Sequence, residues 1–303
     1  MKKILALLTV FITLTCALNA EIKLGLQAYT FRKNTLMETL QLAENLGIKY
    51  LQAYPGQIIG GGFEQKFGPG APQEARAAVL DEAKKRGIKI VSFGVTGLKD
   101  EQGARAVLAF AKEMGITQVW SEPKAEMLPI LNLLGKQYGV TVGCHNHPKG
   151  SIYSIPAEGI AAVKPYQDGG HVLLAPDTGH WLRAGFDPVE YLKAARGLIA
   201  GAHFKDLMQD KEKPGKFYDV PFGSGISNIG GQLAELRRQN FDGILYLEYE
   251  KMDKNLYEGV AKCVDWFKRA MKASVEDLDA GKVPAATEVP EALKLKEGSP
   301  LAY

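Results

Sequence analysis

Apolar and polar positions along this chain switch repeatedly between two periods. From Ile22 onward, short β-rich runs alternate with stretches whose apolar residues recur every three or four positions. The β-rich runs predict strands at 22–30, 50–55, 88–95, 118–122, 140–147, 172–177, 199–205 and 243–250. Between them lie helical patterns at 36–46, 74–85, 104–114, 127–138, 189–195 and 228–238, with 257–271 as a closing helix. Gly47, Gly87, Gly115 and Gly139 each end a helical stretch just before a strand, which suits a left-handed C-cap. Eight strand-then-helix repeats predict a (β/α)8 TIM barrel. The competing open, doubly wound sheet would bring a glycine-rich phosphate loop after its first strand. Here that strand runs into Gln27-Ala28-Tyr29-Thr30-Phe31-Arg32, which has no glycine.

The flanks read differently. Met1-Lys2-Lys3 followed by the apolar run Ile4 to Leu14 has the length of a signal-peptide core and is too short for a membrane span. Cleavage after Ala17 or Ala20 is expected, and a lipid anchor at Cys16 fits its neighbours poorly. The expected division is a signal peptide at 1–20, a catalytic barrel at 21–272 and a tail at 273–303. The mature chain would be periplasmic or secreted, with no membrane segment. The tail carries three prolines and weak periodicity, so wrapping the barrel, packing on a neighbour and disorder all stay open. The glycine-rich stretch 56–70 reads as a mobile flap, because it lacks the Lys-Ser/Thr pair of a phosphate loop.

Composition narrows the function. With 46% hydrophobic and 23% charged residues the chain is outside the range of disorder. Its 37 basic and 34 acidic residues leave a charge of +3, too small a bias to argue for nucleic acid. Three cysteines cannot build a disulfide scaffold, and Cys144 and Cys263 are expected to be reduced. Self-association is left open.

In a TIM barrel the active site lies at the C-terminal ends of the strands. Those ends here read Ser121-Glu122, His145-Asn146-His147, Asp177-Thr178-Gly179-His180, His203-Phe204-Lys205-Asp206 and Glu248-Tyr249-Glu250. Four of the five histidines fall there, whereas unplaced histidines would scatter over helices and loops as well. His171, ahead of the sixth strand, is the exception and reads as structural. A period of two puts His145 with His147, His203 with Lys205 and Glu248 with Glu250 on common faces. So many ionisable groups in a narrow barrel require an offsetting cation, and a divalent metal (Mn2+, Co2+, Mg2+ or Zn2+) is the simplest one. Tyr29, Tyr54 and Trp181 read as pocket walls or core.

The ordered set Asp177-Thr178-Gly179-His180, His203-Phe204-Lys205-Asp206, the Gly223-Ser224-Gly225 loop and Glu248 resembles the xylose-isomerase-like TIM barrels, the superfamily of the sugar phosphate isomerases and epimerases. The resemblance implies metal ligands at His145, Asp177, His203 and Glu248. Many members have glutamate where this chain has His145, which puts the usual two-glutamate epimerisation in doubt and makes Glu122 a candidate for the missing carboxylate. The implied reaction removes a proton beside a carbonyl and passes through an ene-diolate. Glu122 and Glu248 are then the candidate bases, and His147 or His180 the acid or hydroxyl contact. Lys205 polarises an oxygen or pairs with Asp206, and Trp181 and Arg183 close over a sugar ring. Three functions follow: a carbohydrate isomerase or epimerase, a lyase on a keto-sugar using the same enolate, and a noncatalytic sugar-binding barrel.

Overall fold

The computed structural model describes residues 21–150 and 152–301. The expected signal peptide at 1–20 lies outside the described residues. Eight parallel strands form one sheet: β1 (Lys23–Gln27), β2 (Tyr50–Ala53), β3 (Lys89–Phe93), β4 (Gln118–Ser121), β5 (Thr141–Cys144), β6 (Val172–Leu174), β7 (Gly201–Phe204) and β8 (Ile244–Leu247). Their order is β6-β5-β4-β3-β2-β1-β8-β7, and the bridges Leu174–Ile199 and Asp177–His203 join the two edges. The sheet therefore closes on itself as a TIM barrel, with each strand beside its neighbour in sequence.

Helices cover the outside: α1 (Leu36–Asn45), α2 (Gln73–Lys85), α3 (Glu101–Glu113), α4 (Leu128–Tyr138), α5 (Pro156–Val163), α6 (Thr178–Arg183), α7 (Pro188–Ala194), α8 (Ile229–Arg238) and α9 (Leu256–Ala270). Their starts are chemically marked. Thr35 and Glu38 form a reciprocal capping box at α1, and Asp100 and Asn228 accept from backbone amides at the starts of α3 and α8. The expected left-handed glycines are present, with φ of 70° at Gly47, 64° at Gly87, 68° at Gly115 and 70° at Gly139.

The barrel lumen is filled by pairing large residues with glycines. Trp120 on β4 and Tyr246 on β8 are fully buried and meet edge to face, 5.2 Å between ring centroids. Gly25 on β1 lies beside Tyr246, while Gly143 on β5 and Gly201 on β7 lie against the Trp120 indole. Opposite large and small residues thus fit within one narrow cylinder.

Several expected boundaries shift. β1, β4, β5 and β8 end at Gln27, Ser121, Cys144 and Leu247, so Glu122, His145, His147, Glu248 and Glu250 stand in loops beyond their strands, and Tyr29 lies in a 3-10 turn, Ala28–Phe31. The common-face argument from strand period does not apply to the His145–His147 or Glu248–Glu250 pair. The stretch expected to be a flap holds a β-hairpin, Ile58–Gly60 against Phe63–Lys66, turning through the positive-φ residues Gly60, Gly61 and Gly62. The tail runs along the outside of the barrel: α10 (Val275–Asp279) lies on α8, Trp266 Nε1 donates to Val283 O at 3.0 Å, and Asn45 Nδ2 donates to Ser299 Oγ at 2.7 Å. Cys144 and Cys263 are free and buried.

A Cβ at Gly143 would stand 2.7 Å from both Ala175 Cβ and Trp120 Cδ1. Gly143→Ala is therefore expected to cost roughly 1–3 kcal/mol in urea unfolding through overpacking. An unchanged midpoint would show that the lumen is not filled in this way.

Candidate active site

The polar groups at the mouth of the barrel are held by a few local devices. Asp177 caps α6, its Oδ1 accepting from His180 N at 2.8 Å. Its backbone pairs with the Asn146 side chain: Asp177 N donates to Asn146 Oδ1 at 2.9 Å, and Asn146 Nδ2 donates to Asp177 O at 3.2 Å. This double bond locks the loop after β5 to the loop after β6. Gly179 leaves room for the Lys205 stem, since a Cβ there would meet Lys205 Cβ at 3.0 Å.

Lys205 is the centre of the charge network. Its buried Nζ lies 2.9 Å from Asp177 Oδ2, 2.8 Å from Glu248 Oε2 and 2.6 Å from Glu250 Oε2. Burial alone would lower the Lys205 pKa, but the three carboxylates outweigh it and hold the ammonium well above its usual range. Burial would likewise raise Asp177 and Glu248. The neighbouring His180, Lys205 and His203 at Asp177, and Lys205 and His203 at Glu248, outweigh that and keep both below the usual carboxylate range. His203 sits 2.9 Å from Glu248 through Nδ1 and 2.5 Å from Gln52 Oε1 through Nε2. Burial pulls its pKa down, yet Glu248 and Asp177 raise it to about 8.

The lysine corrects two expectations. Lys205 does not pair with Asp206, whose carboxylate instead accepts from the amides of Leu207, Gly223, Gly225 and Ser227. Lys205 also supplies one positive charge among the three crowded carboxylates, so a dication is not the only source of positive charge at the mouth.

The other histidines differ in which nitrogens are free. His145 Nδ1 lies 3.0 Å from Ala175 O; a carbonyl only accepts, so Nδ1 carries the proton and Nε2 keeps its lone pair. Burial holds His145 well below its ordinary pKa, with His203 adding to the effect. His147 Nδ1 hydrogen-bonds Glu122 Oε1, which raises the half-exposed imidazole and leaves its Nε2 unused. His180 accepts from Arg183 at Nδ1, 3.0 Å, and faces Asp177 through Nε2 at 3.5 Å. Burial lowers its pKa to about 4. His180 thus accepts from Arg183 and lies beside Asp177 at the cavity wall.

A cavity of about 530 Å³ opens over these groups, bordered by His145, His147, His180, His203, Glu248 and Glu250 together with Tyr29 and Tyr54. The tyrosines meet edge to face at 5.2 Å. Trp181 and Arg183 do not border it. Trp181 is 1% exposed and packs on Tyr191, because α6 turns its indole into the core. Arg183 lies behind the wall, 3.6 Å from Asp219 and 3.5 Å from Glu250. Three buried residues had no place in the expected site: Gln27, Gln52 and Ser92, a hydrogen-bonded row from β1 to β3 that ends on His203. Their only signal in the sequence is a polar residue near the end of a β-rich run.

Two groups of side chains bring three ligand atoms within 4.8 Å of one another: His145, Asp177 and His203, and Glu122, His145 and His147. In the first, Asp177 Oδ2 and His203 Nδ1 are buried and have charged neighbours but no aligned hydrogen bond. Glu248 Oε2 adjoins that set through His203.

The family model described as xylose isomerase-like TIM barrel matches residues 40–270. The chain belongs to the xylose isomerase-like TIM barrel family. L-ribulose-5-phosphate 3-epimerase UlaE of Salmonella paratyphi C is 33% identical over 114 residues, 37% of this chain and 36% of that protein. The chain thus matches about a third of the length of this curated family relative. A crystal structure of an uncharacterised protein from Parabacteroides distasonis is 30% identical, with a TM-score of 0.66, covering 82% of this chain and 98% of that one. The IolI protein with a bound zinc atom superposes with a TM-score of 0.60 at 17% identity, covering 86% and 96%, and shares the barrel fold of the family.

Lys205→Met would leave three carboxylates facing one another without their ammonium. The expected loss of folding stability is about 3–5 kcal/mol. A loss below about 1 kcal/mol would show that the carboxylates are neutralised by another route.

Proposed function

We propose that this chain is a divalent-cation-dependent carbohydrate isomerase or epimerase that removes a proton beside a carbonyl. The observation that carries the reading is a pair of proton-handling walls on opposite staves. Glu122 follows β4 and Glu248 follows β8, half-way round an eight-stranded ring, and His147 and Glu248 both border one cavity. An epimerisation needs one group to take the proton and another to return it.

The geometry favours His147 for the first task. Glu122 fixes its Nδ1 and leaves Nε2 toward the cavity, as in other acid–base dyads. Glu248, expected as a base, is the weaker one, because Lys205 and His203 stabilise its ionised form. Lys205 serves as its counter-ion, and His180 holds Asp177 in place.

The donor set fits a cation. His145 offers a free Nε2 lone pair, Asp177 Oδ2 and His203 Nδ1 are buried without aligned hydrogen bonds, and Glu248 stands beside them. Mn2+, Co2+, Mg2+ or Zn2+ held there would supply Lewis-acid stabilisation of the negative charge that develops beside the carbonyl. The partial identity to an epimerase supports the reaction class.

Metal analysis of purified variants tests the ligands: His145→Ala and Asp177→Ala should each lose bound metal, and unchanged content in both would refute the set. Sugars incubated with metal-loaded protein in D2O test the chemistry. Deuterium should enter at carbon with the skeleton intact, and His147→Ala should slow exchange at least about 100-fold. Release of water or an aglycone would instead establish the lyase, and sugar binding without exchange would leave only a binding barrel.

A further inference from the structure

We infer that the cavity takes an uncharged sugar, such as a free sugar or a glycoside, in preference to a sugar phosphate. The inference rests on the carbohydrate reading above and concerns which half of that substrate class the site accepts. Its first support is the fate of the positive charges. The charged groups bordering the cavity other than the histidines are the carboxylates Glu248 and Glu250, and none of the described bordering residues is a lysine or arginine. Three cations beside the cavity wall, Lys205, Arg183 and Arg32, are held by other groups. Lys205 is within 2.9 Å of three carboxylates, and Arg183 is spread over Asp219, Glu250 and His180. Arg32 lies over the Tyr29 ring at 4.8 Å and donates to Glu250 O at 3.0 Å.

The second support is the state of the backbone. Phosphate sites in TIM barrels are commonly built from the loops after the seventh and eighth strands, where free amides converge on the anion. The loop after β7 has such amides, but they are already occupied. Gly223 N and Gly225 N donate to Asp206 Oδ2 at 2.9 Å each, and Ser227 N and Leu207 N donate to Asp206 Oδ1 at 3.1 and 3.0 Å. The chain's own carboxylate thus occupies these amides, and none of them borders the cavity.

What the cavity does offer suits a neutral polyol. Tyr29 and Tyr54 form an aromatic corner that can pack on the C–H face of a sugar ring, and Glu250 and His147, which border the same cavity, can bond its hydroxyls. A volume of about 530 Å³ has room for a ring and a second group attached to it.

Calorimetric titration of the metal-loaded protein with matched pairs, each a sugar or methyl glycoside and its phosphate ester, tests the inference. The neutral member should bind at least about 100-fold more tightly, because a phosphate dianion meets Glu248 and Glu250 with no lysine or arginine among the described bordering residues to pair with it. Tyr29→Ala should weaken the neutral member about 10-fold. Inorganic phosphate at millimolar concentration should leave neutral-sugar binding unchanged. Tighter binding of the phosphate esters, or competition by inorganic phosphate, would overturn the inference and leave the isomerase reading standing. If neither member of any pair binds, the carbohydrate reading fails and this inference with it.

Discussion

The Nζ of Lys205 lies within 2.9 Å of Asp177, Glu248 and Glu250, carboxylates contributed by segments after β6 and β8. Moving one such ion from water to a dry interior costs, in an idealised treatment, about 20 kcal/mol. Three anions therefore converge at the barrel mouth only where fixed positive charge meets them. The lysine provides that charge whether or not a metal is bound. It also determines what the neighbouring groups can do, because a carboxylate held ionised by an ammonium is a poor base and a firm scaffold.

The lysine can occupy that place because of small residues around it. Gly179 on α6 leaves space for its stem, and the glycines of β1, β5 and β7 make room for Trp120 and Tyr246 beneath the site. Trp120 in turn lies beside the rings of both His145 and His203, at centroid distances of 6.0 and 4.8 Å. The floor of the cavity is thus a packed aromatic layer, and the imidazoles above it have few orientations open to them. Packing below and ion pairing around the mouth preorganise the same few side chains.

The barrel accords with the family match over residues 40–270. His145 and the Glu122–His147 pair give this mouth a donor set rich in imidazole. Under the proposed function, proton handling moves toward β4, away from the carboxylate that Lys205 holds ionised.

Local pattern was enough to determine the alternation of eight strands and helices, the left-handed glycines at helix ends and the gathering of four histidines at one rim. Each of these depends on a period of two or 3.6, or on the φ of a single residue, and such features are readable within a few positions. Tertiary structure alone decided which groups touch. Lys205 meets Glu248 across 43 positions of chain and not its neighbour Asp206; Trp181 turns into the core; Gln27, Gln52 and Ser92 join beneath His203. The strands end earlier than their apolar runs suggest, so Glu122, His145, His147, Glu248 and Glu250 leave from segments where no strand period applies. Their directions follow from closure of the barrel, which brings the ends of strands distant in sequence to within hydrogen-bonding reach.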